Sequence, residues 1–183
     1  MLTESTPEDL QLTIHLVHGA FHGRWCWSRV ITGLQAQGHR VVANDLPGLG
    51  QDRTPPGDIS LETYADAVCD ALTAEEEPVL LVGHSMGGIV ISQAAERLPE
   101  KVKSLVYVSA YLLRDAQSMM DIVQVDENLA RLGEFLVSDG TMCSFRGDKV
   151  RDIFTAIART QMQTGLPPSS SPSRLHHLRP PCT

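Results

Sequence analysis

The sequence predicts an α/β fold, a mostly parallel sheet with flanking helices, from three observations. Short apolar runs rich in Val, Ile and Leu alternate with longer amphipathic segments as far as Ala110. The run Pro78–Val82 is apolar without alternation, which is typical of a strand buried on both faces. Glycine and proline residues separate the runs, where turns are needed. Such alternation implies parallel strands joined by right-handed crossovers.

Strands and helices are expected to follow one another in strict alternation. The predicted strands are Ile14–Val17, Arg40–Asn44, Pro78–Val82 and Ser104–Ser109, and the predicted helices are Trp25–Gln37, Leu61–Leu72 and Ile89–Arg97. Gly38 suits the C-terminal end of the first helix. Ser60 can cap the second helix, and Thr63 supplies only half of a capping box because it is not Glu or Gln. Residues 1–114 are therefore expected to form one core.

The pattern changes after this core. Residues 115–162 contain weakly amphipathic stretches, which predict a helical, cap-like segment with no convincing strand. Residues 163–183 are rich in proline and serine and can bury little apolar surface, so a disordered or extended tail is expected.

Composition excludes several classes of function. The net charge of −7 argues against nucleic-acid and anionic-membrane partners, because both would repel an acidic surface. The four cysteines form no CxxC pair, and no GxGxxG precedes a helix, so neither a metal nor another cofactor is expected. The polar N-terminal segment lacks the features of a signal peptide. These features and the expectation of free thiols predict a cytoplasmic protein.

The strongest functional signal is Gly83-His84-Ser85-Met86-Gly87, a GxSxG sequence between a predicted strand and a predicted helix. In this context the serine lies on a sharp strand-to-helix turn at the carboxyl end of a sheet. The amides that begin the following helix favour negative charge at the same place. Ser85 is therefore the predicted nucleophile, and a chance Gly-Ser-Gly turn is the alternative that this context disfavours.

A second signal, HGAFHG, follows the first predicted strand. Acyl transfer needs two donors for the oxyanion, and the amides of Ala20 and Met86 are the candidates. Gly19 would let the loop approach, and His18 is expected to orient the loop and to take no part in proton transfer. The spacing of His15, His18 and His22 could also suggest zinc, but no cysteine or carboxylate cluster completes such a site.

Two long stretches resemble a known family. LVHGAFHGRWCWSRVITGLQAQGHRVVANDLPGLGQDRTP and VLLVGHSMGGIVISQAAERLPEKVKSLVYVSAYLLRD are similar to the plant methylesterase and hydroxynitrile lyase branch of the α/β-hydrolases, and to bacterial relatives of that branch. The resemblance implies that Ser85 is the nucleophile and that the amides of Ala20 and Met86 form the oxyanion hole. The lyases usually carry threonine where this chain has Gly19, and they need a lysine further along, so ester hydrolysis is favoured.

The resemblance covers about residues 12–120 and leaves the rest of the catalytic machinery unassigned. In this family an aspartate and a histidine follow two later strands, and no segment after Ile157 resembles them. We therefore expect a C-terminal truncation or a shifted reading frame relative to the family. His176 and His177 are weak substitutes for the base, because a proline-flanked tail has little to hold it at the nucleophile. Asp115 is a weak substitute for the acid, because the resemblance implies an aspartate at this place that is not the triad acid.

Two functions follow as hypotheses. The first is a serine hydrolase acting on small carboxylic esters, with Phe21, Trp25, Met86 and Met119 as candidate pocket walls. The second is a catalytically impaired or non-catalytic hydrolase-like binding protein that lacks the triad aspartate and histidine. The last predicted strand would expose an edge in either case, so self-association through that edge is expected unless the following helices cover it.

Overall fold

The structure is a computed structural model that describes residues 11–125, 135–138 and 143–147. These residues belong to two compact units, one ending at Gln117 and the other beginning at Ser118. The first unit contains a four-stranded parallel sheet in the order β2-β1-β3-β4. The strands are β1 Thr13–Val17, β2 Arg40–Ala43, β3 Val79–His84 and β4 Val102–Val108. The predicted parallel α/β fold is confirmed.

Three α-helices connect these strands, and the sequence predicted all three in this order. They are α1 Ser28–Ala36, α2 Leu61–Thr73 and α3 Gly87–Arg97. The predicted first helix is wrong over its first turn, because Arg24–Trp27 forms a separate 3-10 helix. Val30 of α1 has 42% of its surface exposed.

The period-2 alternation of the strands divides the apolar residues between two faces of the sheet. On one face, Val79 and Leu81 of β3 pack against residues of α2 and α3. On the other face, Val82 and the β1 residues Ile14 and Leu16 pack with Trp27. Burial on both faces explains why β3 is apolar throughout.

The start of α2 is more completely capped than the sequence indicated. The Ser60 hydroxyl accepts from the Thr63 amide at 3.2 Å, and the Thr63 hydroxyl accepts from the Ser60 amide at 2.9 Å. The prediction of half a capping box is therefore wrong, because a threonine hydroxyl performs the role usually given to Glu or Gln.

The described part of the second unit contains one helix and one hairpin. Helix α4 spans Met119–Val125, and β5 Leu136–Ser138 pairs antiparallel with β6 Cys143–Phe145. The expectation of helices without strands after residue 115 is wrong for these two segments. The predicted tail 163–183 lies outside the described residues.

Other expectations concern cysteines and membranes. Cys26 and Cys69 are free, whereas Cys143 is disulfide-bonded, so the expectation of free thiols is wrong for Cys143. Within the ranges that the structure describes, no helix is both long enough and apolar enough to cross a bilayer.

Candidate active site

Ser85 lies at the carboxyl edge of the sheet, between the last residue of β3 and the first residue of α3. Its φ of 53° is in the left-handed region, which residues other than glycine rarely adopt. The Ser85 carbonyl accepts from the amides of Gly88 at 3.0 Å and Tyr111 at 3.1 Å, and these bonds hold the strained turn. Strain of this kind persists only where the surroundings determine the conformation, and it concentrates at functional sites.

Close approach of the backbone requires glycine on both sides of this turn. A Cβ at Gly83 would lie 2.6 Å from the carbonyl oxygen of Gly87, which is too close for any real side chain. A Cβ at Gly87 would lie 2.7 Å from the carbonyl oxygen of Val17. The two glycines of the motif therefore let α3 begin directly against β1 and against its own preceding strand.

The HGA loop lies against the predicted nucleophile. A Cβ on Gly19 would lie 2.8 Å from Cβ of Ser85 and 3.0 Å from the carbonyl oxygen of His84. Met86 is the N-cap residue of α3, so its amide belongs to the first turn, where amides lack intrahelical acceptors. The structure thus brings the loop of Ala20, the amide end of α3 and Ser85 together. The oxyanion role of the two amides stays a prediction.

His18 is fully buried beneath this loop. Its Nδ1 donates to the Gly19 carbonyl at 2.9 Å, and its Nε2 accepts from the Leu46 amide at 3.0 Å. Both ring nitrogens are therefore occupied in the neutral tautomer that carries its proton on Nδ1. Burial lowers the pKa of His18 and favours this neutral form. The geometry suits the predicted orienting role and leaves no lone pair for proton transfer.

Two more imidazoles lie close to the loop. His22 Nδ1 donates to the Ala20 carbonyl at 2.8 Å, and its ring stacks on Trp25 with centroids 5.4 Å apart. The ring of His84 forms T-shaped contacts with the rings of His22 and Trp27, with centroids 5.7 and 6.2 Å apart. Burial lowers the pKa of His84, which favours its neutral form.

Sequence reasoning missed the aspartate that follows β2. One carboxylate oxygen of Asp45 accepts from the Arg24 amide at 2.6 Å, and the other accepts from the Gln51 amide at 2.9 Å. This side chain therefore joins the loop after β1 to the loop after β2. Its position one residue beyond the predicted strand was the available signal, because polar residues at the carboxyl ends of parallel strands often serve a site.

The candidate bases do not converge on Ser85 in the described structure. His15 is hydrogen-bonded to Glu75 at 2.9 Å, away from the site. His39 precedes the first residue of β2, so it lies at the amino ends of the strands, opposite to Ser85. Asp115 is exposed, and His176 and His177 lie outside the described residues. No imidazole of the described ranges hydrogen-bonds the Ser85 hydroxyl.

A metal site is not formed by the three histidines around β1. Across residues 11–125, 135–138 and 143–147, no group of three or more His, Cys, Asp or Glu side chains is arranged to hold a metal ion. His15 is directed to Glu75, while His18 and His22 are bonded to carbonyls of the loop.

Comparison with curated proteins identifies esterases as relatives. The chain is 41% identical to a carbendazim-hydrolysing esterase of Nocardioides sp. over 110 residues, which are 59% of this chain and 46% of that protein. It is 41% identical to methylesterase 3 of Arabidopsis thaliana over 111 residues, 58% of this chain and 42% of that protein. It is 42% identical to methyl jasmonate esterase 1 of Vitis vinifera over 53% of this chain and 38% of that protein. The chain thus spans less than half the length of these relatives.

Solved structures and a family model agree on the fold. A pyrethroid hydrolase from Sphingobium faniae matches with a TM-score of 0.71 and 27% identity, over 93% of this chain and 68% of that one. An extracellular α/β-hydrolase from a Paenibacillus species matches with a TM-score of 0.59 and 28% identity, over 68% of this chain and 50% of that one. The model described as "Alpha/beta hydrolase family" matches residues 16–182. The chain belongs to the α/β-hydrolase family.

Proposed function

We propose that this protein is a serine hydrolase that acts on small carboxylic esters, with Ser85 as its nucleophile. The observation that carries the proposal is the strained turn at Ser85, between β3 and α3, with the HGA loop packed against its Cβ. Relatives named as esterases support the ester bond as the target. Family membership alone would leave the chemistry open, because one fold hosts many reactions.

The proposed reaction has two steps. The Ser85 hydroxyl oxygen attacks the ester carbonyl carbon and its proton passes to a base. The C–O bond of the ester then breaks, and the base returns the proton to the departing oxygen, which leaves as the alcohol. Water then attacks the acyl-serine, which releases the acid and restores the hydroxyl. The negative charge that develops on the carbonyl oxygen would be held by the amides of Ala20 and Met86, worth roughly 10²–10³ in rate per donor.

The base is the open part of this proposal. The His18 ring already makes two hydrogen bonds, and His22 and His84 belong to the aromatic cluster beside the loop. His176 and His177 of the chain, or a histidine of another subunit, are the remaining proposed sources. A serine without its base keeps weak reactivity from the oxyanion hole and from binding alone, so the nucleophile can be tested separately.

Hydrolysis of p-nitrophenyl acetate by the purified chain, compared with Ser85→Ala, tests the proposal. Turnover that is lost in Ser85→Ala supports the esterase. Ser104→Ala is a matched control, because Ser104 is exposed on β4 and bonds its own neighbour's carbonyl. Turnover that survives in Ser85→Ala would contradict the assignment of the nucleophile.

A second candidate is a hydrolase-like binding protein without turnover. The observation that favours it is the absence of an imidazole bonded to Ser85 among the described residues. Binding of methyl esters, measured by calorimetry, with no Ser85-dependent hydrolysis over hours would favour this function over the first.

Two further proposals concern assembly and location. The outer edge of β4 is unpaired among the described residues, and Val106 and Val108 on this strand are 38% and 41% exposed, which supports self-association through that edge.

Free Cys26 and Cys69 support a cytoplasmic location, whereas the disulfide at Cys143 argues for an oxidising compartment. Cell fractionation followed by detection of the chain distinguishes the two compartments.

A further inference from the structure

The turn that carries the proposed oxyanion donor is itself strained. Phe21, which follows Ala20, has a φ of 62°, in the region that bulky residues rarely adopt. Such a conformation costs roughly 1–3 kcal/mol and needs its surroundings to hold it. The conformation of Phe21 sets the direction in which the chain leaves Ala20, so the contacts around this turn control the loop beside Ser85.

Two imidazoles hold successive carbonyls of this turn. His18, on the buried side of the turn, donates to the Gly19 carbonyl at 2.9 Å, and His22 donates to the Ala20 carbonyl at 2.8 Å. In a trans peptide the carbonyl and the N–H point in opposite directions. The Gly19 carbonyl shares its peptide plane with the Ala20 N–H, so a carbonyl that points down to the buried His18 directs this N–H away from the core.

The His18 bond fixes only the peptide plane before Ala20. The next plane, which contains the Ala20 carbonyl, could rotate about the Cα of Ala20 and move Phe21 out of its strained conformation. The bond from His22 opposes this rotation. The ring of His22 is held in turn, because it stacks on Trp25 with an interplanar angle of 23° and forms a T-shaped contact with His84.

We infer that His22 is a positioning residue for the proposed oxyanion hole, acting through the Ala20 carbonyl and the strained Phe21 turn. This inference rests on the proposed function. It assigns His22 a role in holding the peptide plane after Ala20, and with it the Phe21 turn, so that the loop carrying the Ala20 amide keeps its position against Ser85; it assigns His22 no role in proton transfer. Its loss should slow the reaction of Ser85 and leave ground-state binding of the reagent unchanged, since the amide matters most where charge develops.

A fluorophosphonate reagent tests this role without requiring turnover of an ester. The Ser85 oxygen forms a bond to phosphorus, the P–F bond breaks, fluoride leaves and the hydroxyl proton passes to solvent. Saturation kinetics then separate the reversible binding constant from the maximal rate of labelling. His22→Phe keeps a ring for the stack but removes the donor, and His22→Asn places a side-chain N–H near the position of Nδ1.

We expect His22→Phe to lower the maximal rate of labelling about 10- to 100-fold and to leave the binding constant unchanged. This loss of rate should not exceed the loss caused by removing a whole oxyanion donor. His22→Asn should restore most of the rate. His39→Phe is the matched control, because His39 lies at the other end of the sheet, and it should label at the wild-type rate.

The outcomes separate the inference from the function on which it rests. Wild-type labelling at Ser85 together with an unchanged rate in His22→Phe would overturn the inference and leave the proposed function intact. Equal losses in His22→Phe and His22→Asn, with weaker binding and a lower melting temperature in both, would show a merely structural role and would also overturn it. A wild-type chain that does not label at Ser85 would overturn the proposed function and the inference together.

Discussion

Replacement of the buried His18 by phenylalanine should destabilise the fold strongly. Phenylalanine fills the site with a ring of similar size, but it removes the donor to Gly19 and the acceptor for Leu46. Both backbone groups lie in buried residues, and each unpaired buried polar group costs about 1–3 kcal/mol. We therefore expect His18→Phe to lower the free energy of unfolding by about 2–5 kcal/mol.

The dependence of this effect on pH follows from the direction of the pKa shift. Burial lowers the pKa of folded His18 below its ordinary value of 6.5, so the unfolded chain binds more protons as the pH falls. The stability from His18 is fully present above pH 6.5 and is lost as the pH falls through the folded pKa. The difference between wild type and His18→Phe should therefore shrink below pH 6.5.

Urea denaturation followed by fluorescence at pH 7.5 and at lower pH measures both effects. His39→Phe is the control, because His39 accepts a long hydrogen bond of 3.4 Å and should cost less than about 1 kcal/mol. Equal midpoints and slopes for His18→Phe and wild type at pH 7.5 would show that the two hydrogen bonds of His18 do not stabilise the fold. A difference that grows as the pH falls would refute the assignment of the neutral imidazole.

Two further predictions concern stability and assembly. The Tyr64 hydroxyl is buried and has no hydrogen-bond partner in the described structure, and burial raises its pKa to about 12. Tyr64→Phe should therefore raise the free energy of unfolding by about 1 kcal/mol in urea titration, and a loss of similar size would contradict this account. Val106→Lys should weaken self-association in light scattering, because charge on an edge strand opposes pairing. Val30→Lys changes a similarly exposed valine of α1 and should leave self-association unchanged. If Val106→Lys associates as strongly as wild type, the β4 edge is not the surface of association.

The sheet could be predicted from the sequence because its two central strands, β1 and β3, are buried. The apolar run before Gly83 permits only a central strand, and the structure extends this strand through His84. The 3-10 helix Arg24–Trp27 could not be distinguished from the start of α1, because aromatic residues at this spacing fit both kinds of helix. The strands β5 and β6 have three residues each, which is too short for an alternation to be read.

The site was predictable where it depends on local sequence. A glycine-flanked serine between a strand and a helix indicates the turn at Ser85, and HGA after the first strand indicates the adjacent loop. Contacts between distant segments could not be read from the chain. The bond from the Leu46 amide to His18, and the two bonds of Asp45, join residues whose proximity follows only from strand order.

The proposed function depends above all on Ser85 being an activated nucleophile. The most direct test is the intact mass of the full chain after incubation with a fluorophosphonate, followed by peptide mapping. We expect one adduct on the peptide that contains Ser85, no adduct in Ser85→Ala, and an unchanged adduct in Ser104→Ala. An unlabelled wild-type chain, or an adduct that persists in Ser85→Ala, would contradict this expectation.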